Sequence, residues 1–328
     1  MQNASVPVDR PENSTTVRSS GERAAALLLR TWGRMHPGSA SSAMLTLFTR
    51  TQRGTPSPKN RAALASGHAF TVDGPTGPIQ AWSFEPKAAR RGLVTLVHGW
   101  NGRATQLTDW IAPLVQAGYQ VVAFDGPGHG ESAGRKAHVG LLARGLAAVA
   151  AVTGPSTAVI AHSLGAAAVA IAQQQGLLSA ERFVFLAPSA EPARYVQAYV
   201  RRAVGEGRLE TLFMARMERE VGLTFAEIDV PSFALTTPTL IVHDEDDDDV
   251  PYETSEVLSR GWSSVTLWPT AGLGHRKVLR DTGVVTAGVL FAVTGAAPTA
   301  AWAPTRDPDE PDLELIEREL MDRERRAA

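Results

Sequence analysis

The stretch Thr-Ala-Val-Ile-Ala-His-Ser-Leu-Gly at residues 157–165 decides the fold. It joins an apolar strand, predicted over residues 157–161, directly to an Ala-rich helix predicted over residues 164–175. Ser163 therefore lies in a sharp strand–turn–helix corner, where only small residues two positions away on either side avoid a clash. Ala161 and Gly165 are those small residues. We expect the turn to lift the Ser163 hydroxyl out of the fold, with the first N–H groups of the helix facing any negative charge that develops there.

A serine in this position can also be an ordinary helix cap, which is a common role. The strand before Ser163 and the helix after it favour a nucleophile. A nucleophilic serine needs a base and a group that orients the base. Of the eight histidines, His275 has the most suitable position, because it follows the strand predicted at residues 265–268 and precedes the last helix of the core. Such a loop opens onto the carboxyl edge of a parallel sheet, where sites collect.

Six consecutive acids, at residues 244–249, follow the strand predicted at residues 239–242. A solvated acidic loop or a weak calcium site is the simpler interpretation. The functional interpretation is that one acid turns inward to hold His275 while the others face water. Asp246, Asp247 and Asp248 are the candidates.

Two backbone donors are needed to stabilise an oxyanion. Leu164 supplies one N–H directly after the serine. The other is expected from Trp100, in the loop His98-Gly99-Trp100 that follows the strand predicted at residues 93–97. Gly99 would allow the backbone of this loop to approach the substrate closely. The same residues are also compatible with an ordinary glycine turn.

From residue 92 the chain alternates apolar strands with helices, and residues 68–84 read as a β-hairpin. Unbroken apolar strands between helices are typical of a mostly parallel sheet that is covered on both faces. Residues 191–236 interrupt the alternation with a helical segment far longer than a crossover requires. We expect this segment to be a cap over Ser163, with Tyr195 and Met214 in an apolar substrate pocket beside Gly99 and His162.

Together these segments resemble the α/β-hydrolase superfamily over roughly residues 68–293, and most closely its capped lipase/esterase and serine-aminopeptidase-like group. The order serine, acid, histidine is the one this superfamily uses. The loop His98-Gly99-Trp100 is similar to its oxyanion motif, and residues 125–132 are similar to its D-x-P-G-H-G-x-S loop. The pattern Asp247-x-x-Val250-Pro251 is similar to its acid loop and selects Asp247. Ala161 stands where the superfamily usually has Gly, which implies a tighter elbow.

The resemblance implies an α/β-hydrolase fold, with a mostly parallel sheet, helices on both faces and a helical cap insertion. Residues 67–190 and 237–296 would form the core and residues 191–236 the cap. Residues 21–66 would be an N-terminal helical extension. Residues 1–20 have the composition of a disordered tail. Residues 297–328 would be a linker followed by an acidic C-terminal helix.

The resemblance also implies a serine hydrolase that cleaves carboxylic esters through an acyl-enzyme, with Ser163 as nucleophile, His275 as base and Asp247 as the acid. It implies no cofactor and no metal. Relatives with Asp or Cys as nucleophile are excluded by Ser163. A thioesterase, an acyltransferase, a haloperoxidase-like enzyme and a non-catalytic ligand-binding protein remain alternatives.

The amino-acid composition limits the classes of partner and the compartment that we expect for this protein. A net charge of −2 gives no electrostatic footprint for nucleic acid. The absence of cysteine excludes a disulfide scaffold and a Cys nucleophile. Neither a signal peptide nor a transmembrane stretch is evident, so a cytoplasmic protein with a small-molecule ester substrate is expected. An apolar stripe on the C-terminal helix suggests a possible homodimer.

Overall fold

The computed structural model describes residues 20–298 and 311–327, and its centre is one eight-stranded sheet. The strands are β1 (His68–Gly74), β2 (Gly77–Phe84), β3 (Gly92–Val97), β4 (Tyr119–Phe124), β5 (Ser156–His162), β6 (Ala180–Leu186), β7 (Thr239–Asp244) and β8 (Val265–Thr270). Their order is β1-β2-β4-β3-β5-β6-β7-β8. β2 is antiparallel to both β1 and β4, and the pairs from β4 to β8 are parallel.

Helices cover both faces of this sheet. They are α1 (Ser20–Met35), α2 (Pro37–Thr49), α3 (Pro58–Ala65), α4 (Ile111–Gln116), α5 (Val139–Thr153), α6 (Leu164–Gln174), α7 (Pro192–Val204), α8 (Arg208–Val221), α9 (Glu253–Gly261), α10 (Gly274–Lys277), α11 (Thr282–Thr294) and α12 (Leu313–Ala327). The predicted α/β fold class, with its mostly parallel sheet, is confirmed.

The strand β5 shows why residues 158–161 are apolar at consecutive positions. Val159 and Ala161 belong to the core cluster that contains α5 and α6. Ala158 and Ile160 face the other way, into the cluster that contains α11. Because successive side chains of a strand point to opposite faces, the middle of a strand buried on both faces is apolar at consecutive positions.

Two short elements connect parts of the fold. The chain after β3 begins as a 3-10 segment (Ala104–Trp110) and continues as the short helix α4. At the start of α3 the Ser57 hydroxyl accepts the Asn60 N–H, and Pro58 takes the first helical position. The tail predicted to be disordered lies outside the described residues, apart from Ser20, which begins α1.

Residues 191–236 form α7, α8 and two 3-10 turns (Ala226–Ile228 and Val230–Ser232). These helices pack on the N-terminal helices α1 and α2. Phe213 and Met217 of α8 are buried in the same core cluster as Met44 of α2. The two segments predicted as separate units therefore share one helical layer.

The C-terminal helix α12 lies on α11. Ile316 and Leu320 of its apolar stripe are buried in the core cluster that contains Val289. The stripe is therefore covered by the chain itself. The homodimer expected through this helix stays a prediction, and it would have to use surface other than Ile316 and Leu320. The linker that precedes α12 lies largely outside the described residues. Within the described ranges, no helix has the length and apolarity needed to cross a bilayer.

Candidate active site

Ser163 occupies a strained corner between β5 and α6. Its φ is 53° and its ψ is −124°, in the left-handed half of backbone space that non-glycine residues avoid. The corner is held on both sides, because the Ser163 N–H donates to the Leu186 carbonyl (3.0 Å) and the Ser163 carbonyl accepts the Ala166 N–H (3.0 Å). Such strain persists only where the surroundings over-determine it, and it concentrates at functional sites.

Two glycines let the loop after β3 lie against this corner. A Cβ at Gly165 would lie 2.5 Å from the His98 carbonyl oxygen, and a Cβ at Gly99 would lie 2.9 Å from the Ser163 Cβ. Neither distance is compatible with a side chain. The backbone of residues 98–100 therefore approaches the first turn of α6, the segment that carries the Leu164 N–H.

Asp247 and His275 are hydrogen-bonded. His275 Nδ1 lies 2.7 Å from Asp247 Oδ2, and the Asp247 side chain is fully buried. Asp247 Oδ1 accepts the N–H groups of Asp249 (2.8 Å) and Val250 (2.9 Å). Burial alone would raise the pKa of Asp247, but hydrogen bonds from His243 and His275 outweigh it and lower the pKa below its ordinary value. An ionised Asp247 accepts the Nδ1 proton of His275 and leaves Nε2 as the basic nitrogen.

A second histidine, which the sequence analysis did not assign, contacts the same carboxylate. His243, the penultimate residue of β7, is fully buried, and its Nε2 lies 3.2 Å from Asp247 Oδ2 and 3.1 Å from the Val250 carbonyl oxygen. Its Nδ1 lies 2.6 Å from the Ser255 hydroxyl. The two acceptors assign the proton to Nε2. The signal in the sequence was a histidine at a strand end, four residues before the acid.

The acidic run turns two carboxylates inward, where one was expected. Asp244 is fully buried and accepts from the Thr270 hydroxyl (2.8 Å) and the Leu273 N–H (3.0 Å). These contacts fasten the loop that carries His275. Burial would raise the pKa of Asp244, but the hydrogen bonds lower it. In residues 20–298 and 311–327 no group of three or more His, Cys, Asp or Glu side chains is arranged to hold a metal ion.

His162 links the serine corner to the His275 loop. Its Nε2 donates to the His275 carbonyl (2.9 Å), and the two imidazole centroids are 4.7 Å apart. Among the described residues, neither His162 Nδ1 nor Ser163 Oγ has a hydrogen-bond partner. The structure thus brings His275 beside the corner through His162, without a direct bond to the serine hydroxyl.

Two further buried histidines brace the loop after β3. His98 Nε2 accepts the Gly126 N–H (2.8 Å), and its Nδ1 donates to the Gly99 carbonyl (2.7 Å). His129 Nε2 accepts the Asn101 N–H (3.1 Å). Burial lowers the pKa of His98 to about 4 and that of His129 to about 3. Both rings are therefore neutral near pH 7 and serve as fixed acceptors for the loop that carries Trp100.

The predicted pocket residues have different surroundings. Gly99 and His162 adjoin Ser163, as the contacts above show. Met214 is half-buried against the core. Tyr195 is 59% exposed on α7, and its place in the substrate pocket stays a prediction. An exposed position on α7 is compatible with the same helical pattern. Trp100 instead stacks on Phe48 of α2 (6.1 Å between centroids), and Phe48 also contacts Tyr199 (4.7 Å).

Comparison with known proteins agrees with this fold. Residues 88–218 match the family model described as serine aminopeptidase, S33. The esterase PF2001 of Pyrococcus furiosus superposes with a TM-score of 0.52 at 18% identity, covering 71% of this chain and 91% of that one. Est1E of Butyrivibrio proteoclasticus superposes with a TM-score of 0.51 at 17% identity, covering 69% of this chain and 97% of that one. Mouse α/β-hydrolase domain-containing protein 10 superposes with a TM-score of 0.52 at 14% identity, covering 68% of this chain and 95% of that one. A search of the curated proteins gives no match. The chain therefore has the α/β-hydrolase fold, and its residues 88–218 are similar to the serine aminopeptidase family.

Proposed function

We propose that this chain is a serine hydrolase of the α/β-hydrolase type that cleaves carboxylic esters through an acyl-enzyme intermediate. The observation that carries the proposal is the left-handed Ser163 at the β5–α6 corner, next to a buried Asp247–His275 pair. A helix cap has no need of this conformation, since an N-cap residue normally has ordinary extended backbone angles. The Ser163 side chain also makes no cap hydrogen bond to α6.

In the proposed reaction, His275 Nε2 takes the proton of the Ser163 hydroxyl as the oxygen attacks the ester carbonyl. Asp247 keeps the proton of His275 on Nδ1 and stabilises the imidazolium that forms. The N–H groups of Leu164 and Trp100 stabilise the oxyanion, each contributing on the order of 3 kcal/mol. His275 then returns its proton to the departing alcohol, and water attacks the acyl-enzyme by the same route in reverse.

Closure of the Ser163–His275 hydrogen bond is expected in the substrate complex. Catalytic hydrogen bonds are often long or absent in ligand-free enzymes and tighten when substrate binds. His162 holds the His275 backbone carbonyl near the corner, so we expect side-chain movement to close this hydrogen bond.

His243 and Asp244 are proposed as positioning residues. His243 donates a second hydrogen bond to Asp247 Oδ2 and so fixes the carboxylate that orients His275. Asp244 holds the loop on which His275 lies. Groups that orient a catalytic base through a carboxylate act by preorganisation, without touching the substrate.

An ester with an apolar or aromatic acyl group is the proposed substrate class. The Trp100 ring, with Phe48 and Tyr199 behind it, offers an aromatic surface next to the loop that carries the Trp100 N–H. In the solved complex of Est1E with ferulic acid (TM-score 0.50, 19% identity, covering 63% of this chain and 91% of that one), the relative holds an aromatic carboxylic acid, which supports an aromatic acyl group.

The test is hydrolysis of p-nitrophenyl acetate, butyrate and octanoate, and of methyl ferulate, by the wild type and by Ser163→Ala. We expect turnover by the wild type and a loss of about a millionfold in the variant, as when the nucleophile of a triad is removed. A folded wild type that hydrolyses none of these esters, or a Ser163→Ala variant with the wild-type rate, contradicts the proposal. Acetyl- and octanoyl-coenzyme A in parallel would detect a thioesterase instead.

A further inference from the structure

Asn101, the residue after Trp100, has a left-handed backbone conformation. Its φ is 53°. The Gly102 N–H donates to the Gly99 carbonyl (3.0 Å), which closes a four-residue turn through Trp100 and Asn101. A positive φ at the third residue of such a turn favours glycine or asparagine. The conformation of Asn101 therefore determines the path of the backbone at Trp100, whose N–H is the second proposed oxyanion donor.

Two hydrogen bonds hold Asn101 in this conformation. Its N–H donates to His129 Nε2 (3.1 Å), and its side-chain Oδ1 accepts the Gln52 backbone N–H (2.8 Å). His129 is fully buried, and its Nδ1 donates to the Pro127 carbonyl (3.0 Å). Because a carbonyl only accepts, the proton of His129 is on Nδ1 and Nε2 is the acceptor. Asn101 is thus bonded to a fixed ring on one side and to the N-terminal part of the chain on the other.

The segment that supplies the Gln52 N–H is fastened to the loop that carries His129. We call residues 50–53, which follow α2, the N-terminal strap. Thr51 and Arg53, on either side of Gln52, donate to backbone carbonyls of that loop. The acceptors lie at 2.5–3.1 Å and are Gly128 and Arg135 for Thr51, and Ser132 and Gly134 for Arg53. The donor and the acceptor that hold Asn101 therefore belong to one braced unit.

We propose that Asn101 is a positioning residue, which holds the Trp100 N–H in place for the oxyanion through its hydrogen bonds to the N-terminal strap and to His129. This role rests on the proposed ester hydrolysis, in which the Trp100 N–H stabilises the oxyanion. The simpler interpretation is that residue 101 is asparagine only because asparagine tolerates a positive φ. Glycine tolerates the same φ without strain, so Asn101→Gly removes the side-chain bond and separates the two interpretations.

The first test is hydrolysis of p-nitrophenyl butyrate by Asn101→Gly. The Asn101 side chain is exposed, so the core should be unaffected. We expect kcat to fall by about tenfold or more with KM nearly unchanged, since complete loss of an oxyanion donor costs about a hundredfold or more. Inhibition by an alkyl trifluoromethyl ketone, whose adduct with the serine carries an oxyanion, should weaken by the same factor as kcat/KM. A smaller fraction of folded enzyme would leave that inhibition constant unchanged.

A second pair of variants acts on the donor of the same hydrogen bond. Gln52→Pro removes the backbone N–H that Asn101 accepts, whereas Gln52→Ala keeps it at the same exposed position. Gln52→Pro should lower kcat by a factor similar to that of Asn101→Gly, and Gln52→Ala should behave like the wild type. The double variant with Gln52→Pro and Asn101→Gly should be no slower than either single variant, because both lose one and the same bond.

Amide hydrogen exchange over residues 98–104 distinguishes this role from the proposed function, because it requires no activity. We expect faster exchange in Asn101→Gly and Gln52→Pro than in the wild type and Gln52→Ala. A folded wild type that hydrolyses no ester overturns the proposed function, and the catalytic role of Asn101 with it. An active wild type whose kcat is unchanged by Asn101→Gly overturns the role of Asn101 and leaves the proposed function standing. Exchange that is the same in Gln52→Pro and Gln52→Ala also overturns this role.

Discussion

At Ser163 the backbone adopts a conformation that costs a non-glycine residue on the order of 1–3 kcal/mol. A glycine would relieve this strain, yet the chain has a serine at the corner and glycines around it, at positions 99 and 165. These glycines allow the two backbone segments to lie close together, because a Cβ atom at either position would clash with the neighbouring segment. The strained backbone at residue 163 therefore lowers stability, and the hydroxyl group of Ser163 is what this conformation presents.

Asp247→Asn tests the acid. The amide can donate to His275 and thereby favour the wrong tautomer, so turnover should fall by about ten-thousandfold while the fold remains. Asp248→Asn is the matched control, because Asp248 is an exposed neighbour in the same run, and its rate should stay within about twofold of the wild type. Ester hydrolysis and urea unfolding would be measured on both. Equal rates for the two variants would show that Asp247 does not orient the base.

The residues of the site differ in how far sequence could predict them. Ser163 and His275 have local signals in the strand–turn–helix corner and in the loop after the last strand. Asp247 was selected from a run of acids by a resemblance, and its hydrogen bond to His275 remained a prediction until the fold was known. The contacts of His243 and Asp244 depend on how β7, β8 and the following loops fold together. No periodicity in the chain encodes such tertiary contacts.

At the scale of the elements, helical periodicity predicted α1, α2 and the helices of residues 191–236, but not that they pack on one another. An amphipathic pattern specifies which face of a helix is buried and leaves its partner undefined. Here α2 fills the space between α8 and the loop that carries Trp100. The N-terminal extension thereby becomes part of the surroundings of the site.

Phe48→Ala tests this packing. Phe48 contacts the rings of Trp100, Tyr199 and Phe213, so its removal should destabilise the chain by about 2 kcal/mol or more and raise KM for aryl esters. Leu47→Ala is the control, since Leu47 is 65% exposed on the same helix and should change stability by less than about 0.5 kcal/mol. Urea unfolding and steady-state kinetics would be measured for both. Indistinguishable variants would argue against a shared helical layer at the site.

At the scale of the whole molecule, four buried histidines make stability depend on pH. Burial lowers the pKa of His98 and His138 to about 4, and that of His129 and His162 to about 3. In the unfolded chain these groups would titrate near 6.5. The unfolded state therefore binds more protons, so the stabilisation is fully present above pH 6.5 and is lost as pH falls toward 4. Burial raises the pKa of Asp125, so at a pH near the ordinary pKa of an aspartate its folded form binds more protons than its unfolded form. This offsets a part of the stability lost through the histidines.

The free energy of unfolding in urea should thus fall between pH 7 and pH 5, at about 1 kcal/mol per pH unit for each histidine once pH is below 6.5. His138→Asn should reduce the slope by about a quarter. His138 Nδ1 accepts the Leu141 N–H at the start of α5, and asparagine keeps a cap acceptor while removing the titrating group. A free energy of unfolding that is the same at pH 7 and pH 5 would contradict the neutral, buried state of these rings.

The architecture itself follows from the sequence more directly than any of these details. Runs such as residues 121–124 and 240–242 are apolar at every position, which is typical of a strand covered on both faces. Helices between such strands leave a parallel sheet as the solution. The docking of α12 on α11 was missed, because a narrow apolar stripe is equally suited to a partner helix inside or outside the chain.

The intact mass of the chain after reaction with a fluorophosphonate probe tests the central claim most directly. If Ser163 is an activated nucleophile, the wild type gains one adduct per chain, and the adduct maps to the peptide that contains Ser163. Ser163→Ala should then remain unmodified under the same conditions, and Asp247→Asn should react far more slowly. A folded wild type that gains no adduct at Ser163, or a Ser163→Ala variant that is labelled to the same extent as the wild type, would contradict the assignment of this corner as the catalytic nucleophile.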